Sequence, residues 1–576
     1  MNNNDKRTKN RSFRRGRLVV LQSLLVVIGL SVGCRIVDLQ LLNRHFLQNE
    51  GDKRSVRYEK IPAHRGVIFD RNGKPLAVST PVTTIWAVPA DLLLAKSSWG
   101  DLAQQLDINE ETLTKRIAAG KNKNFIYLKR QLTPKHGQKV MALNIAGVHM
   151  MEEHRRYYPA GEVTAHLVGL TNIDENGQEG MELGYNDWLQ GSPGEVRYLK
   201  DRRGQLVKQA ELVESAKPGK ELMLSIDLDI QYLAHRALKE AVVRHKARAA
   251  SLVMLDVQTG EVLAMVNYPS YNPNNRSEME AYKVRNRTVT DVLEPGSTLK
   301  PFAVLAALES GRYDKNTPVN TSPGYMYIGR NKVSDLRDYG RLNVTSVLTK
   351  SSNIGVTKMV MDIGVDNLLD VLRKAGVGQT TGVDFPGESV GYLPYRDRWS
   401  GIEAATLSFG YGLTVTPLQL AQAYMMLGAK GVMRPISLIK RDVVPEGVRI
   451  FDEKHISDIL DMLGTVVQSG SGRRAKVPSY KVGGKTGTTR KVGENGYSSN
   501  RHIGIFAGVA PIGNPRLATV IVIDEPTRGG YYGGLTAAPV FSKVNAGALQ
   551  VLGVPPEQKE VLTVERLSDS EAGGAG

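Results

Sequence analysis

The chain has 576 residues, 41% of them hydrophobic, which is enough for three or four units with real cores. Its formal net charge is +17, a balance that would suit nucleic acid unless the charge is local. One cysteine among all residues excludes an intramolecular disulfide, and neither H-E-x-x-H nor C-x-x-C occurs among the candidates for a metal site.

Residues 1–17 carry seven basic side chains against the single acid Asp5, and Leu18 to Cys34 runs without a charge. This reads as a cytoplasmic basic tail (1–17) and a transmembrane anchor (18–41), so no nucleic-acid partner is expected. The uncharged part spans only about 25 Å, against a hydrocarbon core of about 30 Å. Snorkelling of Arg35 would let Ile36, Val37 and Leu39 extend it. A cleavable signal peptide is one alternative, although no A-x-A-like site follows the apolar run. Lipidation of Cys34 is another: Gly33-Cys34 resembles the end of a lipobox, but Ser31 stands where leucine is usual.

Residues 42–60 are polar and charged, as a stalk leaving the membrane would be. Asn72-Gly73 between apolar runs signals a hairpin. The stretch to about residue 220 alternates short strands and modest helices and offers no nucleophile–base pair. Near Lys217-Pro218-Gly219-Lys220 the texture changes. Ile230, Leu233, Ala234, Ala237, Leu238 and Ala241 recur at helical spacing after Asp227, an N-cap candidate. Ala250–Asp256 and Glu261–Val266 read as strands joined through Gln258-Thr259-Gly260. Ile503–Val509 and Leu517–Asp524 are two more, and a helix follows from Ala538 to about Leu552. The expected architecture is α+β: one antiparallel sheet built from both ends of the domain, with a helical middle packed on it. Residues 553–576 read as a flexible tail.

Three short motifs carry the chemistry. Ser297-Thr298-Leu299-Lys300 follows the chain break Glu294-Pro295-Gly296 and precedes the apolar run Phe302–Leu308. A buried helix with Ser297 and Lys300 in its first turn would place both on one face. Burial and the positive end of the helix dipole would depress the lysine. A base working near neutral pH needs a fall from about 10.4 to about 7. A second cation, Lys485, would push the same way. Alone, Ser297 could as well be a helix cap.

Ser351-Ser352-Asn353 follows the helix-like run Val344–Lys350, where by itself it reads as a cap or turn. A hydroxyl and an amide there could bridge two lysines. Lys485-Thr486-Gly487-Thr488 nearly completes a phosphate loop, but Ser479 stands where that loop needs glycine. On a strand, Lys485 and Gly487 face one way and Thr486 and Thr488 the other. The glycine would let an extended peptide approach the sheet edge.

S-x-x-K, S-x-N and K-T-G in this order resemble the penicillin-binding proteins and serine β-lactamases. Arg65-Gly66 through Asp70-Arg71-Asn72-Gly73, Arg155-Arg156-Tyr157-Tyr158-Pro159 and Gly177-Gln178-Glu179-Gly180-Met181-Glu182 resemble the N-terminal motifs of the class B branch. The details are most similar to the FtsI-type, division-specific peptidoglycan D,D-transpeptidases; the elongation-specific class B enzymes are the nearest alternative. The resemblance implies an elongated, non-catalytic N-terminal pedestal module (42–220) and a penicillin-binding/β-lactamase-like transpeptidase domain (221–552). No glycosyltransferase module fits between anchor and residue 220.

By the same resemblance, Ser297 attacks the penultimate D-Ala carbonyl of a stem peptide and Lys300 takes its proton. Ser351 relays a proton to the leaving amine, and Asn353 holds the donor amide. Lys485, Thr486 and Thr488 anchor the terminal carboxylate beside Gly487, and the backbone N–H groups of Ser297 and Thr488 form the oxyanion hole. Tyr411, Tyr531 and Tyr532 are pocket walls by this analogy, with core packing as the alternative. No cofactor or metal is implied. Implied partners are D-Ala-D-Ala stem peptides, β-lactams, the inner membrane with the catalytic domain periplasmic, an FtsW-type glycosyltransferase and other division proteins. A β-lactamase is disfavoured because no E-x-x-L-N occurs: Leu42-Asn43, Leu143-Asn144 and Leu342-Asn343 all lack the glutamate. A catalytically silent β-lactam sensor or division scaffold stays open at this point.

Overall fold

The computed structural model describes residues 4–61, 63–200, 206–493 and 496–557. The first three residues of the expected basic tail and residues 558–576 of the expected C-terminal tail lie outside them. Internal contacts divide the chain into two units, residues 1–64 with 191–218, and residues 65–190 with 219–576.

In the first unit a helix, α1 (Asn4–Val37), runs without a break from the expected tail into the apolar span. It passes into a wider turn, Asp38–Leu42, where Arg35 Nη1 donates to Asp38 Oδ2 at 2.7 Å. Gly16–Leu42 is a helical stretch of 27 residues, long and apolar enough to cross a membrane. At 1.5 Å per residue that is about 40 Å, and the stretch contains the expected anchor, residues 18–41. The supposed stalk is also structured: Arg44–Ser55 is helical, and Val56–Ile61 pairs antiparallel with Gly194–Lys200. Leu206–Glu214 completes that three-stranded sheet.

In the second unit, Ile68–Phe69 and Pro75–Ala87 form the expected hairpin. Gly73 takes φ +81°, and the Asp70 carboxylate accepts the backbone N–H groups of Asn72 and Lys74. The three N-terminal motifs converge below it. Glu182, fully buried, accepts from Arg65 at 2.7 Å and from Arg156 at 2.6 Å.

The helix α2 (Leu228–His245) begins where Asp227 accepts from the backbone of Asp229 and Ile230, as the sequence predicts. Five strands then make one antiparallel sheet: β1 (Ala249–Asp256), β2 (Val262–Tyr268), β3 (Gly483–Gly493), β4 (Gly496–Ala510) and β5 (Leu517–Asp524). Their spatial order is β2-β1-β5-β4-β3, so both ends of the domain build the sheet and β3 is an edge.

Strand alternation sends neighbouring residues into different cores. Leu252, Met254, Phe506 and Ile521 pack with α2 and with α8 (Ala538–Val551). Val253, Leu255, Ile505 and Val520 meet the helical middle, which comprises α3 (Lys300–Glu309), α4 (Val344–Lys350), α5 (Asn353–Ile363), α6 (Pro417–Gly428) and α7 (Glu453–Gln468). The fold class is therefore α+β, with helices on both faces of an antiparallel sheet.

Candidate active site

Every residue of α3 from Lys300 to Leu308 is buried, as its apolar run requires. Ser297, however, is not on that helix. It sits on a tighter 3-10 turn, Gly296–Leu299, that feeds α3. The turn is pinned from several sides. Gly296 N donates to Gly410 O at 3.0 Å, Thr298 Oγ1 to Pro295 O at 2.7 Å, and the buried Tyr424 hydroxyl to Thr298 O at 2.8 Å. Gly296 has φ +54°, and a Cβ there would come within 2.5 Å of Thr489 Cγ2. Both facts demand glycine before the serine.

Ser351 closes α4 in the left-handed conformation, φ +59°. That reversal aims its hydroxyl back at α3. Ser352 is the N-cap of α5, its hydroxyl accepting from Gly355 N at 2.9 Å. The cap expected for this segment is therefore real, and it is one residue from the functional group. Asp335, at the end of the strand Asn331–Ser334, accepts from Ser352 Oγ and from the backbone of Asn353 and Ile354.

The three motifs meet at the Ser351 hydroxyl. It lies 3.3 Å from Ser297 Oγ, 3.2 Å from Lys300 Nζ and 2.9 Å from Lys485 Nζ. Lys300 also donates to Ser351 O at 2.6 Å and to Asn353 Oδ1 at 2.7 Å. Among the described residues it makes no hydrogen bond to Ser297. The expected place of Ser297 in the first turn of the helix is corrected to the 3-10 turn before it, and the Ser351 hydroxyl lies within hydrogen-bond reach of both Ser297 and Lys300.

Both lysines are 0% exposed. Burial holds the Lys300 ammonium well below its ordinary value, the Lys485 charge pushes it lower still, and Asp335 opposes them. Burial alone brings Lys485 down to about 7. Two ammonium groups sharing one hydroxyl in a dry site cannot both be charged cheaply. The pair therefore holds one proton more readily than two.

On β3, Lys485 points to Ser351 while Thr486 Oγ1 bonds Ser471 Oγ at 2.7 Å and Thr488 Oγ1 accepts from Gly533 N at 3.1 Å. Alternation is as predicted. Gly487 serves a different neighbour from the one expected. A Cβ there would lie 2.9 Å from Pro295 O and 3.0 Å from Thr298 Cγ2, so the glycine makes room for the turn that carries Ser297.

The open backbone belongs to the even-numbered residues. Thr486 O accepts from Lys485 Nζ and Thr488 O from the Tyr411 hydroxyl, at 3.2 and 3.5 Å. In an antiparallel strand a residue's N–H and C=O point the same way, so the Thr488 N–H also faces away from β4.

A groove of about 370 Å³ runs past Thr486 and Thr488, with Ser471, Arg473, Arg474 and Tyr532 in its walls. Tyr411 packs edge-on to Tyr497 at the site, ring centroids 5.9 Å apart. Tyr531 is not in that groove's lining; its ring stacks on His502 at 3.9 Å. Tyr531 and Tyr532 are exposed, which removes core packing as their explanation.

Asp335, Ser471 and Tyr424 are supporting residues that sequence reasoning did not single out. A larger cavity of about 630 Å³, bounded by Leu170, Glu179, Arg276 and Phe385, contains none of the three motifs. Among the described residues no three His, Cys, Asp or Glu side chains gather as a metal site needs.

The penicillin-binding protein transpeptidase domain matches residues 250–546, and the penicillin-binding protein dimerisation domain matches residues 60–224. The probable peptidoglycan D,D-transpeptidase PbpC of Pseudomonas aeruginosa is 43% identical, over 94% of this chain and 96% of its own. The peptidoglycan D,D-transpeptidase FtsI of Escherichia coli is also 43% identical, over 93% of this chain and 91% of its own. Penicillin-binding protein 3 of Mycobacterium tuberculosis, solved with aztreonam, superposes with a TM-score of 0.68 at 28% identity, covering 86% of this chain and 98% of that one. The match of both domains and the identity to these relatives along nearly the whole chain place it in the penicillin-binding protein transpeptidase family.

Proposed function

We propose that this protein is a serine peptidoglycan D,D-transpeptidase that cross-links stem peptides during septal wall synthesis. The observation that carries the reading is the Ser351 hydroxyl, in hydrogen-bond reach of Ser297, Lys300 and Lys485 at once. Ser297 Oγ attacks the penultimate D-Ala carbonyl, and its proton passes through Ser351 to the neutral Lys300. The same chain of groups returns a proton to the departing D-Ala amine. Thr488 N–H and Ser297 N–H take the developing oxyanion, a contribution of about 10²–10³-fold in rate for one such donor. Charged Lys485, with Thr486 and Thr488, holds the terminal carboxylate, and Asn353 holds the donor amide. An amine of a second stem peptide then displaces Ser297. β-Lactams acylate the same serine.

Residues 18–41 would anchor the protein in the inner membrane, with residues 42–220 as pedestal and 221–552 as the periplasmic enzyme. The septal assignment rests on the resemblance of the N-terminal motifs to the division-specific branch.

Labelling with a fluorescent penicillin tests the nucleophile. Ser297→Ala is expected to abolish labelling while thermal unfolding stays within about 2 °C of wild type, as for a small half-buried side chain. Retained labelling would sink the assignment. Depletion in cells should give filaments; rounded cells would move the protein to elongation.

A further inference from the structure

The groove beside β3 contains more than the proposed donor chemistry uses. It begins at Thr486 and Thr488 and ends at Arg473 and Arg474, and among the described residues no Asp or Glu lines it. Neither guanidinium has an ion-pair or hydrogen-bond partner among the described residues. The two arginines are exposed, but their backbone is fixed. Gly470 N and Gly472 N donate to Val466 O at the end of α7, Ala475 N donates to Gly472 O, and Ala475 is fully buried. Two unpaired cations thus stand on a rigid turn, facing a cavity that opens onto the edge strand.

The position matters because of what the reaction moves. When D-Ala departs, its amine leaves the acyl carbon and its carboxylate leaves the neighbourhood of Thr486 and Thr488. The second amine must enter where the first one left. Its nitrogen bonds to the acyl carbon, the bond from that carbon to Ser297 Oγ breaks, and the proton the amine sheds returns to Ser297 Oγ. The rest of the acceptor then has to extend along the vacated space, which is this groove.

We infer that the groove bounded by Ser471, Arg473, Arg474 and Tyr532 is the acceptor subsite, and that Arg473 and Arg474 select an acceptor peptide bearing carboxylates. This rests on the acyl-transfer reading above and adds to it the side from which the acceptor comes and its charge. A guanidinium presents a planar fork that matches a carboxylate, so two of them at the end of one groove give charge and direction together.

The test separates acylation from transfer. The full-length enzyme in detergent is acylated by a thioester donor ending in D-Ala. Its acyl-enzyme is then partitioned between water and one of two acceptors: a D-amino-acid-terminated peptide with free carboxylates, or the same peptide with every carboxylate amidated. Wild type is expected to favour the anionic acceptor by about tenfold or more, and added salt should reduce that preference. R473Q/R474Q should lose it while its rate of labelling by fluorescent penicillin stays within about twofold, since the donor contacts are untouched. Single variants report whether one arginine dominates.

Equal preference in variant and wild type would overturn the assignment, as would a fall in acylation matching the fall in transfer, which would put the arginines on the donor side. Wild type that transfers with no acceptor preference removes the subsite but leaves the transpeptidase reading intact. Normal acylation with no transfer to either acceptor removes both.

Discussion

At the scale of single residues, the site depends on an asymmetry between two chemically identical side chains. Lys300 and Lys485 are equally buried and touch the same hydroxyl, yet only Lys300 has Asn353 and the Ser351 carbonyl as further acceptors. Lys485 loses its proton at about 7, and its charge is one of the forces holding Lys300 low. In the proposed mechanism acylation needs Lys300 neutral and Lys485 charged, so its pH profile should be a bell. The acid limb belongs to Lys300 and the alkaline limb to Lys485, near 7 in the free enzyme. Lys485→Met removes one charge, so the alkaline limb should vanish. Lys300 should then hold its proton to higher pH, moving the acid limb upward. kcat/KM for penicillin acylation, measured from pH 5 to 10, checks both signs. An acid limb that stays put would show that the two ammonium groups do not interact.

At the scale of elements, the Ser297 turn and the edge strand are fitted to one another through Gly487. Replacing it with alanine places a methyl 2.9 Å from Pro295 O and 3.0 Å from Thr298 Cγ2, and Pro295 cannot swing aside. The turn must shift by several tenths of an ångström, carrying Ser297 with it. Gly487→Ala should cut acylation by at least about tenfold while costing only about 1–3 kcal/mol of stability, read by stopped-flow labelling and by denaturant unfolding. A variant that acylates normally would show that β3 tolerates the methyl without moving the serine. This coupling also marks the limit of the sequence reading. The strands, α2 with its Asp227 cap and the three motifs were legible because periodicity, capping chemistry and motif order are local properties. The 3-10 turn beneath Ser297 was not, since its pins come from Gly410 and Tyr424, more than a hundred residues away. Asp335 had no local signal either: an aspartate in a polar loop gives no hint that it caps a distant S-x-N segment.

At the scale of the whole molecule, the same logic reappears in the region the sequence marked only by resemblance. Arg65, Arg156 and Glu182 lie far apart along the chain and meet with none of the three side chains appreciably exposed. Glu182 is the one carboxylate in the cluster, and both guanidinium groups lean on it; Arg65 Nη1 reaches Asn186 at 3.1 Å and Arg156 Nη1 reaches Ser79 at 3.3 Å. One nitrogen, Arg156 Nη2, is buried with no hydrogen-bond partner among the described residues. The cluster therefore already holds a surplus of positive charge, and removing its only anion leaves two buried cations facing each other. Glu182→Gln keeps the shape and loses the charge. It should destabilise this region by about 3–5 kcal/mol, whereas Arg65→Met together with Glu182→Met should recover part of that loss by removing a charge of each sign. The cluster makes no contact with Ser297, Ser351 or either active-site lysine, so penicillin labelling per folded molecule should not change. Thermal unfolding of the two variants, read beside active-site titration, separates the outcomes. Equal destabilisation by the single and the double substitution would mean that Glu182 acts through packing, and that the three N-terminal motifs meet there for volume and not for charge.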